Sequence, residues 1–468
     1  MTDTLMVGVS GVRGIVGKDL TEDIVARWAR AFGTWVHENG KRETGNAKGG
    51  TVVVGRDARA SGPAFAAAVT TGLTSVGCDV IDVGLVPTPT VQLAVEHHGA
   101  GGGIAITASH NPIEWNALKF IGPDGIFLDG ADGARVHRLV GKDGGGRSRK
   151  GEVRADRGAV ERHLDGVLKL SAVDVERIRK RKFAVALDAV RGAGGPVMRT
   201  LLERLGCRVA GINLETDGRF PRAPEPVPEN LGELGALVRG SGAEVGVAVD
   251  PDVDRLAIVD ETGAPIGEDY TLAFAIRAVL GGKRATENGK RVVVCNLSTS
   301  LVVEDAAREF GADVVRTPVG EVHVAGAILR LAAVIGGEGN GGVMYPALHA
   351  GRDAPVAAAL LLMLLAREGR RVSELVAAAP RYVIVKTKLE RGTRNAERGL
   401  EDVYAALRGR FSEASADTQD GLRLAWRDRW LHVRPSNTEP IIRLIAEAPT
   451  GAAAQDLVDE GRRLCAAS

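Results

Sequence analysis

The sequence predicts an α/β protein: three related α/β domains with mixed, largely parallel sheets, plus a C-terminal α+β domain, arranged around a central cleft. Two observations carry this. A strand, helical crossover, glycine turn, strand unit recurs three times, and the pattern changes after Ala377-Ala378-Ala379-Pro380. The first unit opens with Val52 to Asp57 and closes on Gly77-Cys78-Asp79-Val80-Ile81. The second opens with Phe183 to Asp188, has its helix near Met198 to Leu205, and closes on Gly206 to Val209. The third runs from Val292-Val293-Val294-Cys295-Asn296 to Gly311 to Val315. Such βαβ units imply parallel strands with right-handed crossovers. Beyond Pro380 come a strand (Tyr382 to Lys388), a helical stretch (Thr393 to Leu407) and strands around Leu422 to Leu424 and Ile441 to Ala446, the order of a small α+β domain. The expected domains are 1–150, 151–255, 256–378 and 379–468. The glycine-rich run Gly141 to Ser148 forms the first linker, and the second boundary falls between Asp254 and Asp260.

A chain of 468 residues is too long for one core, and 44% hydrophobic residues suffice for several. The formal net charge of +1 gives no field to draw nucleic acid or a membrane surface, and 4% aromatic residues leave little for base stacking. The basic run Arg177 to Lys182 reads as a solvated helix end. Cys78, Cys207, Cys295 and Cys465 form no CxxC pair and read as reduced thiols. Asp3 and the lack of a long apolar run before Gly11 argue against a leader. The apolar stretch Ala354 to Ala366 suits a buried helix, being too short to span a bilayer. The expected location is cytoplasmic.

Two clusters carry chemistry. Gly103 to Ile106 reads as a buried strand ending at Thr107-Ala108-Ser109-His110-Asn111-Pro112, where Asn-Pro enforces a turn. Ser109 therefore lies at the carboxyl end of a strand, where open α/β sheets place ligands. Its hydroxyl is a candidate nucleophile, although turn serines commonly serve as caps. The second cluster, Asp250-Pro251-Asp252-Val253-Asp254-Arg255, lies between the apolar runs Val245 to Val249 and Leu256 to Val259. In an extended segment the three carboxylates point the same way, and their repulsion calls for a hard cation such as Mg2+. Arg255 adds a planar fork suited to phosphate.

With these clusters and four further segments, in order, the whole chain resembles the α-D-phosphohexomutase superfamily of phosphoglucomutase, phosphomannomutase and phosphoglucosamine mutase. Val9 to Gly14 is similar to its N-terminal signature and Val54 to Gly62 to the segment after its first long strand. Thr107 to Pro112 resembles its phosphoserine loop and Asp250 to Arg255 its metal loop. Gly337 to Gly342 resembles its sugar-recognition loop, and Arg434 to Pro440 with Arg443 its distal phosphate loop.

The resemblance implies phosphoryl transfer between the 1- and 6-positions of a hexose, through a phosphoserine and a sugar 1,6-bisphosphate. Ser109 would carry the phosphoryl group and, with Asp250, Asp252 and Asp254, bind Mg2+. Arg13 and Arg255 would steady the transferring oxygens. Lys119 would take the proton, its pKa lowered by neighbouring cations, with His110 in support. A second proton carrier would come from Glu321 or His323, since Glu321 stands where some relatives have histidine. Arg434, Ser436, Asn437, Thr438 and Arg443 would cradle the distal phosphate. Glu338 would bind sugar hydroxyls, with Asn340 and Arg352 nearby. The Gly339-Asn340-Gly341-Gly342 sequence replaces the Ser-Gly-His pattern of many relatives and leans towards glucosamine phosphate. The alternative is a phosphomannomutase/phosphoglucomutase of the same mechanism. A sugar-bisphosphate phosphatase has no need of the distal loop, and a non-catalytic phosphosugar-binding protein no need of intact Ser109, Lys119 and aspartates. The expected ligands are a phosphosugar substrate, Mg2+ and an activating sugar 1,6-bisphosphate, on a monomer or homodimer without nucleic acid or membrane.

Overall fold

The computed structural model describes residues 5–43, 50–142, 149–282, 291–390, 398–436 and 441–467. Among them the strands form four sheets. The first runs, edge to edge, Met6–Gly8, Gly11–Ile15, Trp115–Ile121, Gly102–Ile106, Thr51–Arg56, Asp79–Leu85, Val153–Ala155. Its centre is parallel, and the strands on the Gly11 side are antiparallel. Valine-rich central strands with both faces buried suit a sheet covered by helices on each side. The second sheet orders Leu256–Val259, Val245–Val249, Ala184–Asp188 and Arg208–Ile212. The third orders Asp313–Thr317, Val292–Asn296, Ile335–Glu338 and Gly342–Met344. Each has three parallel strands and one antiparallel edge. The three expected βαβ units are these parallel pairs, each closed by its glycine turn.

Two expected boundaries shift. Strand Leu256–Val259 pairs with Val245–Val249, so a division at 255/256 would split a hairpin whose two strands bury each other's apolar side chains. Strand Val153–Ala155 pairs with Asp79–Leu85, so the first sheet continues past residue 150. The linker segment 143–148 lies outside the described residues.

The fourth sheet is wholly antiparallel: Val383–Glu390, Ile441–Ala448, Trp430–Pro435, Leu422–Ala425, Ser415–Asp417. Period-two alternation makes it two-faced. Leu422, Leu424, Leu431, Val433, Leu444 and Ala446 pack on the helices Arg398–Arg410 and Gly451–Ala467. The expected helix from Thr393 is described only from Arg398. Arg434 and Pro435, expected in a loop, end the strand Trp430–Pro435.

The apolar stretch at Ala354 forms the helix Ala354–Glu368, buried on all sides for its first three turns. It belongs to one apolar cluster that also contains Leu187 and Val247 of the second sheet and Val293 and Ile335 of the third. Among the described residues no helix is long and apolar enough to cross a membrane.

Candidate functional site

The chemistry-bearing side chains collect where strands of three sheets end. Ser109 lies just past Ile106, Asp250 just past Val249, and Glu338 closes Ile335–Glu338. Ser109 takes φ 48°, a left-handed conformation uncommon for a side-chain-bearing residue. A buried network imposes it. The Asp57 carboxylate accepts from Thr107 Oγ1 (2.7 Å), whose oxygen accepts from the Ser109 N–H (2.9 Å). The buried Arg59 guanidinium pairs with Asp57 and donates to the carbonyls of Ser109 (2.8 Å), Asn111 (2.7 Å), Pro112 (2.7 Å) and Trp115 (2.9 Å). One arginine thus holds the serine loop by its backbone. Asp57 and Arg59 had no role assigned from sequence, although a charged Asp-x-Arg directly after a buried strand was a usable signal.

The three aspartates do converge, by a different route from the one expected. The segment is a turn, not an extended strand, and Val253 within it takes φ 64°. Asp250, Asp252 and Asp254 each contribute one carboxylate oxygen to a buried cluster whose atoms lie within 4.8 Å of one another. In each carboxylate the two oxygens are held differently. Asp250 Oδ1 accepts the N–H groups of Asp254 and Arg255, both at 3.2 Å, while its Oδ2 accepts from Ser109 Oγ at 2.9 Å. Asp252 Oδ2 accepts from Thr88 Oγ1 and Lys119 Nζ, both at 2.7 Å; its Oδ1 is buried and unpartnered. Asp254 Oδ2 accepts from Arg352 Nη2 at 2.6 Å; its Oδ1 has no hydrogen-bond partner either. Two buried carboxylate oxygens that accept no hydrogen bond, beside a serine hydroxyl, are the donor set of a hard divalent cation. Mg2+ fits these residues.

The electrostatics agree. Burial, then the charges of Asp254 and Asp252, push the Asp250 carboxyl well above the usual range. Burial also opposes charge on Asp252, but Lys119 and the Thr88 hydroxyl hold its carboxyl below the usual range. Lys119 departs from expectation. Burial would depress its pKa, yet Asp252 and Asp254 raise it above the ordinary lysine value. The His110 imidazole, 3.4 Å from Ser109 Oγ, is pushed down to about 2 by Arg255, burial and Arg13, so it is neutral and weakly basic.

The other candidates divide. Arg13 donates to Asn111 Oδ1 at 2.6 Å, and with Ser109, Lys119, Arg255, Glu321, Arg352 and Arg443 it lines a cavity of about 400 Å3. Arg255 pairs with Glu225 at 3.1 Å. Glu338 Oε1 accepts from Asn296 Nδ2 (2.9 Å) and the Gly320 N–H (3.2 Å), and Asn340 Nδ2 lies 3.5 Å from Oε2. The Glu321 side chain is largely covered, and this burial holds its carboxyl above the usual value, although Arg352 opposes this. His323 is not brought to the site: it is exposed on helix Glu321–Leu331, whose 3.6-residue turn sends it away from the Glu321 side. Arg434 is buried against Asp420 at 2.9 Å, and the Ser436 N–H donates to the Ile441 carbonyl at 2.8 Å. Asn437 and Thr438 lie outside the described residues. Thr88, Asn296 and Glu225, missed from sequence, act at long range and carry no local signature.

The chain matches, in order, four profiles described as phosphoglucomutase/phosphomannomutase α/β/α domain I (residues 4–144), domain II (161–263), domain III (267–382) and C-terminal domain (385–464). It is 38% identical to a phosphoglucomutase/phosphomannomutase of Thermococcus kodakarensis, over 98% of each chain. It is 39% identical to a probable phosphoglucosamine mutase of Methanopyrus kandleri, over 97% of this chain and 96% of the relative. A crystal structure of a phosphoglucomutase/phosphomannomutase family protein from Burkholderia thailandensis superposes with a TM-score of 0.84 at 28% identity, covering 99% of this chain and 97% of that one. Four matched domains and relatives aligned end to end place the chain in the phosphoglucomutase/phosphomannomutase family, and it is a phosphohexomutase, an isomerase.

Proposed function

We propose that Ser109 is the phosphoryl carrier of this phosphohexomutase and that glucosamine phosphate is its preferred substrate. The observation that carries the first part is the 2.9 Å contact between Ser109 Oγ and Asp250 Oδ2, made across two sheets inside a cluster with two unpartnered carboxylate oxygens. A divalent ion held by Asp250, Asp252, Asp254 and the seryl phosphate would neutralise charge on the transferring group.

The chain's own residues do the rest. With Ser109 phosphorylated, a sugar monophosphate presents its free hydroxyl; the new O–P bond forms as the Ser109 O–P bond breaks, giving the bisphosphate. The bisphosphate then turns end for end and returns its other phosphoryl group to Ser109. Arg13 and Arg255, which line the same cavity as Ser109, offer guanidinium forks to the phosphoryl oxygens. Lys119 is charged while it balances Asp252 and Asp254, so it is a proton donor in that state. It accepts the hydroxyl proton only when the charge of those aspartates is otherwise neutralised. Glu338 is the hydroxyl-binding carboxylate, and Arg443 extends from the fourth sheet towards the cavity as part of the distal phosphate cradle with Arg434 and Ser436. Asn437 and Thr438 complete the cradle in this proposal.

The glucosamine preference rests on the Gly339 to Gly342 loop and on the naming of relatives such as the Methanopyrus protein. The Thermococcus relative supports the alternative, a phosphoglucomutase/phosphomannomutase. A parallel turnover assay decides, with Mg2+, a catalytic amount of sugar 1,6-bisphosphate, and glucosamine 6-phosphate, mannose 1-phosphate or glucose 1-phosphate. Fastest isomerisation of glucosamine 6-phosphate is expected. Faster turnover of either other sugar overturns the preference, and free phosphate without isomerised sugar overturns the mutase role of Ser109.

A further inference from the structure

We propose that Arg352 is a positioning residue that couples the sugar-recognition loop to the metal loop, so that the state of Glu338 sets cation affinity at the aspartates. The proposal rests on the metal-site reading above.

The geometry is a three-way bridge. The buried guanidinium of Arg352 donates through Nη2 to Asp254 Oδ2 at 2.6 Å and through Nη1 to Glu338 Oε2 at 3.0 Å, while Nε lies 2.9 Å from Glu321 Oε2. Asp254 follows the second sheet's central strands; Glu338 and Glu321 belong to the third domain. No other side chain among the described residues makes charged contact with both the aspartate cluster and the sugar loop. By holding Asp254 Oδ2, Arg352 fixes the carboxylate, whose Oδ1 makes no hydrogen bond.

The surrounding chain is shaped around this side chain. A Cβ on Gly342 would lie 2.3 Å from Arg352 Cδ, so the guanidinium reaches Asp254 only because residue 342 has no side chain. Gly341, at φ +85°, accepts at its carbonyl from the Leu256 N–H at 3.0 Å and so stitches the sugar loop to the strand leaving the metal loop. The Arg352 backbone is fixed as well. Its N–H points at Glu321 Oε1 (3.3 Å), and the next residue, Asp353, caps the helix Ala354–Glu368 and accepts from His163 and His349. The glycine-rich departure from the Ser-Gly-His pattern is thereby explained as room for Arg352.

Arg352 carries one positive charge against three carboxylates. Glu338 and Glu321 absorb part of that charge, which leaves Asp254 anionic enough to hold a cation. Removing the charge of Glu338 releases one arm of the fork that holds Arg352 in place, so the guanidinium no longer fixes the Asp254 carboxylate, which weakens cation binding one domain away. Partners of this kind change metal affinity by about 10-fold or more when removed.

Titration calorimetry of the full-length protein with Mg2+ alone, without any sugar, tests this as a double-mutant cycle. Arg352→Met is expected to weaken Mg2+ binding about 10-fold. Glu338→Gln should weaken it several-fold in the wild-type background and have no further effect with Arg352→Met. Arg352→Lys keeps a charge without the fork, so it should stay impaired; it also serves if Arg352→Met does not fold, with Glu338→Gln then silent in the lysine background. Equal effects of Glu338→Gln in both backgrounds, or none in the wild type, overturn the coupling. Absence of Mg2+ binding by the wild type overturns the metal-site reading and the coupling together, whereas mutase turnover is scored separately.

Discussion

The seam between the second and third domains and the seam between the third and fourth are built from opposite materials. In the first, helix Ala354–Glu368 is buried among apolar side chains of both domains, in one continuous core. In the second, polar groups meet. Glu447 of the last sheet accepts from Ser300 Oγ, from the Leu301 N–H (2.8 Å) and from its own neighbour Trp430 Nε1 (2.6 Å). His432 meets Ser298 Oγ at 2.9 Å, and Asp420 accepts the Val319 N–H at 3.0 Å. Alternation along the strands explains the difference: the leucine face of the last sheet is spent on its own helices, leaving Arg423, Trp430, His432, Arg434 and Glu447 facing the third domain. An apolar seam has no substitute in water, whereas each polar contact can be exchanged for a water. The second and third domains therefore share one core, while the first brings Ser109, Thr88 and Lys119 to the aspartates through polar contacts. The fourth, with the distal phosphate residues, meets the third through polar contacts.

This contrast can be broken from either side. The largest effect is expected from Leu361→Ala in the shared helix, which should cost about 2–5 kcal/mol. Calorimetry should show the second and third domains melting earlier together; an independent shift of only one would sever them. Acid should act on the other seam. Burial pushes the His432 imidazole down to about 4, against 6.5 for the ordinary side chain. Between those values the unfolded chain binds more protons than the folded one, so stability is complete above pH 6.5 and falls as pH is lowered towards 4. The loss is on the order of 3 kcal/mol. It should appear in the fourth domain's transition and flatten in His432→Gln; an unchanged pH profile in that variant would contradict the assignment. A smaller effect, about 1–3 kcal/mol, is expected for Glu447→Gln, because a neutral amide accepts more weakly than a carboxylate from Leu301 N–H and Trp430 Nε1. Protease sensitivity of the last domain measures it.

What was legible in the sequence follows the range of the interactions. The βαβ units and the Ser109 and Asp250 to Arg255 loops announce themselves because each is contiguous, with its strand, turn and reactive groups within a dozen residues. The convergence of the aspartates was anticipated but not its geometry, since a left-handed valine at 253 has no sequence signature. Arg352 was read as a loop residue near the site; its bond to Asp254 spans 98 residues and depends on Gly342 lacking a side chain. Lys119 was expected to be depressed by cations, yet its partners across the domain boundary are carboxylates. His323 was placed by proximity to Gly320, and helix phase carries it outward.

The most direct test of the account is the fate of Ser109. Wild type and Ser109→Ala are incubated with Mg2+ and a sugar 1,6-bisphosphate, digested, and analysed by mass spectrometry beside the turnover assay. The account predicts one phosphoryl group on the Ser109 peptide of the wild type, retained while added sugar monophosphate is isomerised because each turnover returns a phosphoryl group to Ser109, and neither phosphoryl group nor turnover in Ser109→Ala. Sustained isomerisation by Ser109→Ala, or a phosphoryl group carried elsewhere, would contradict it.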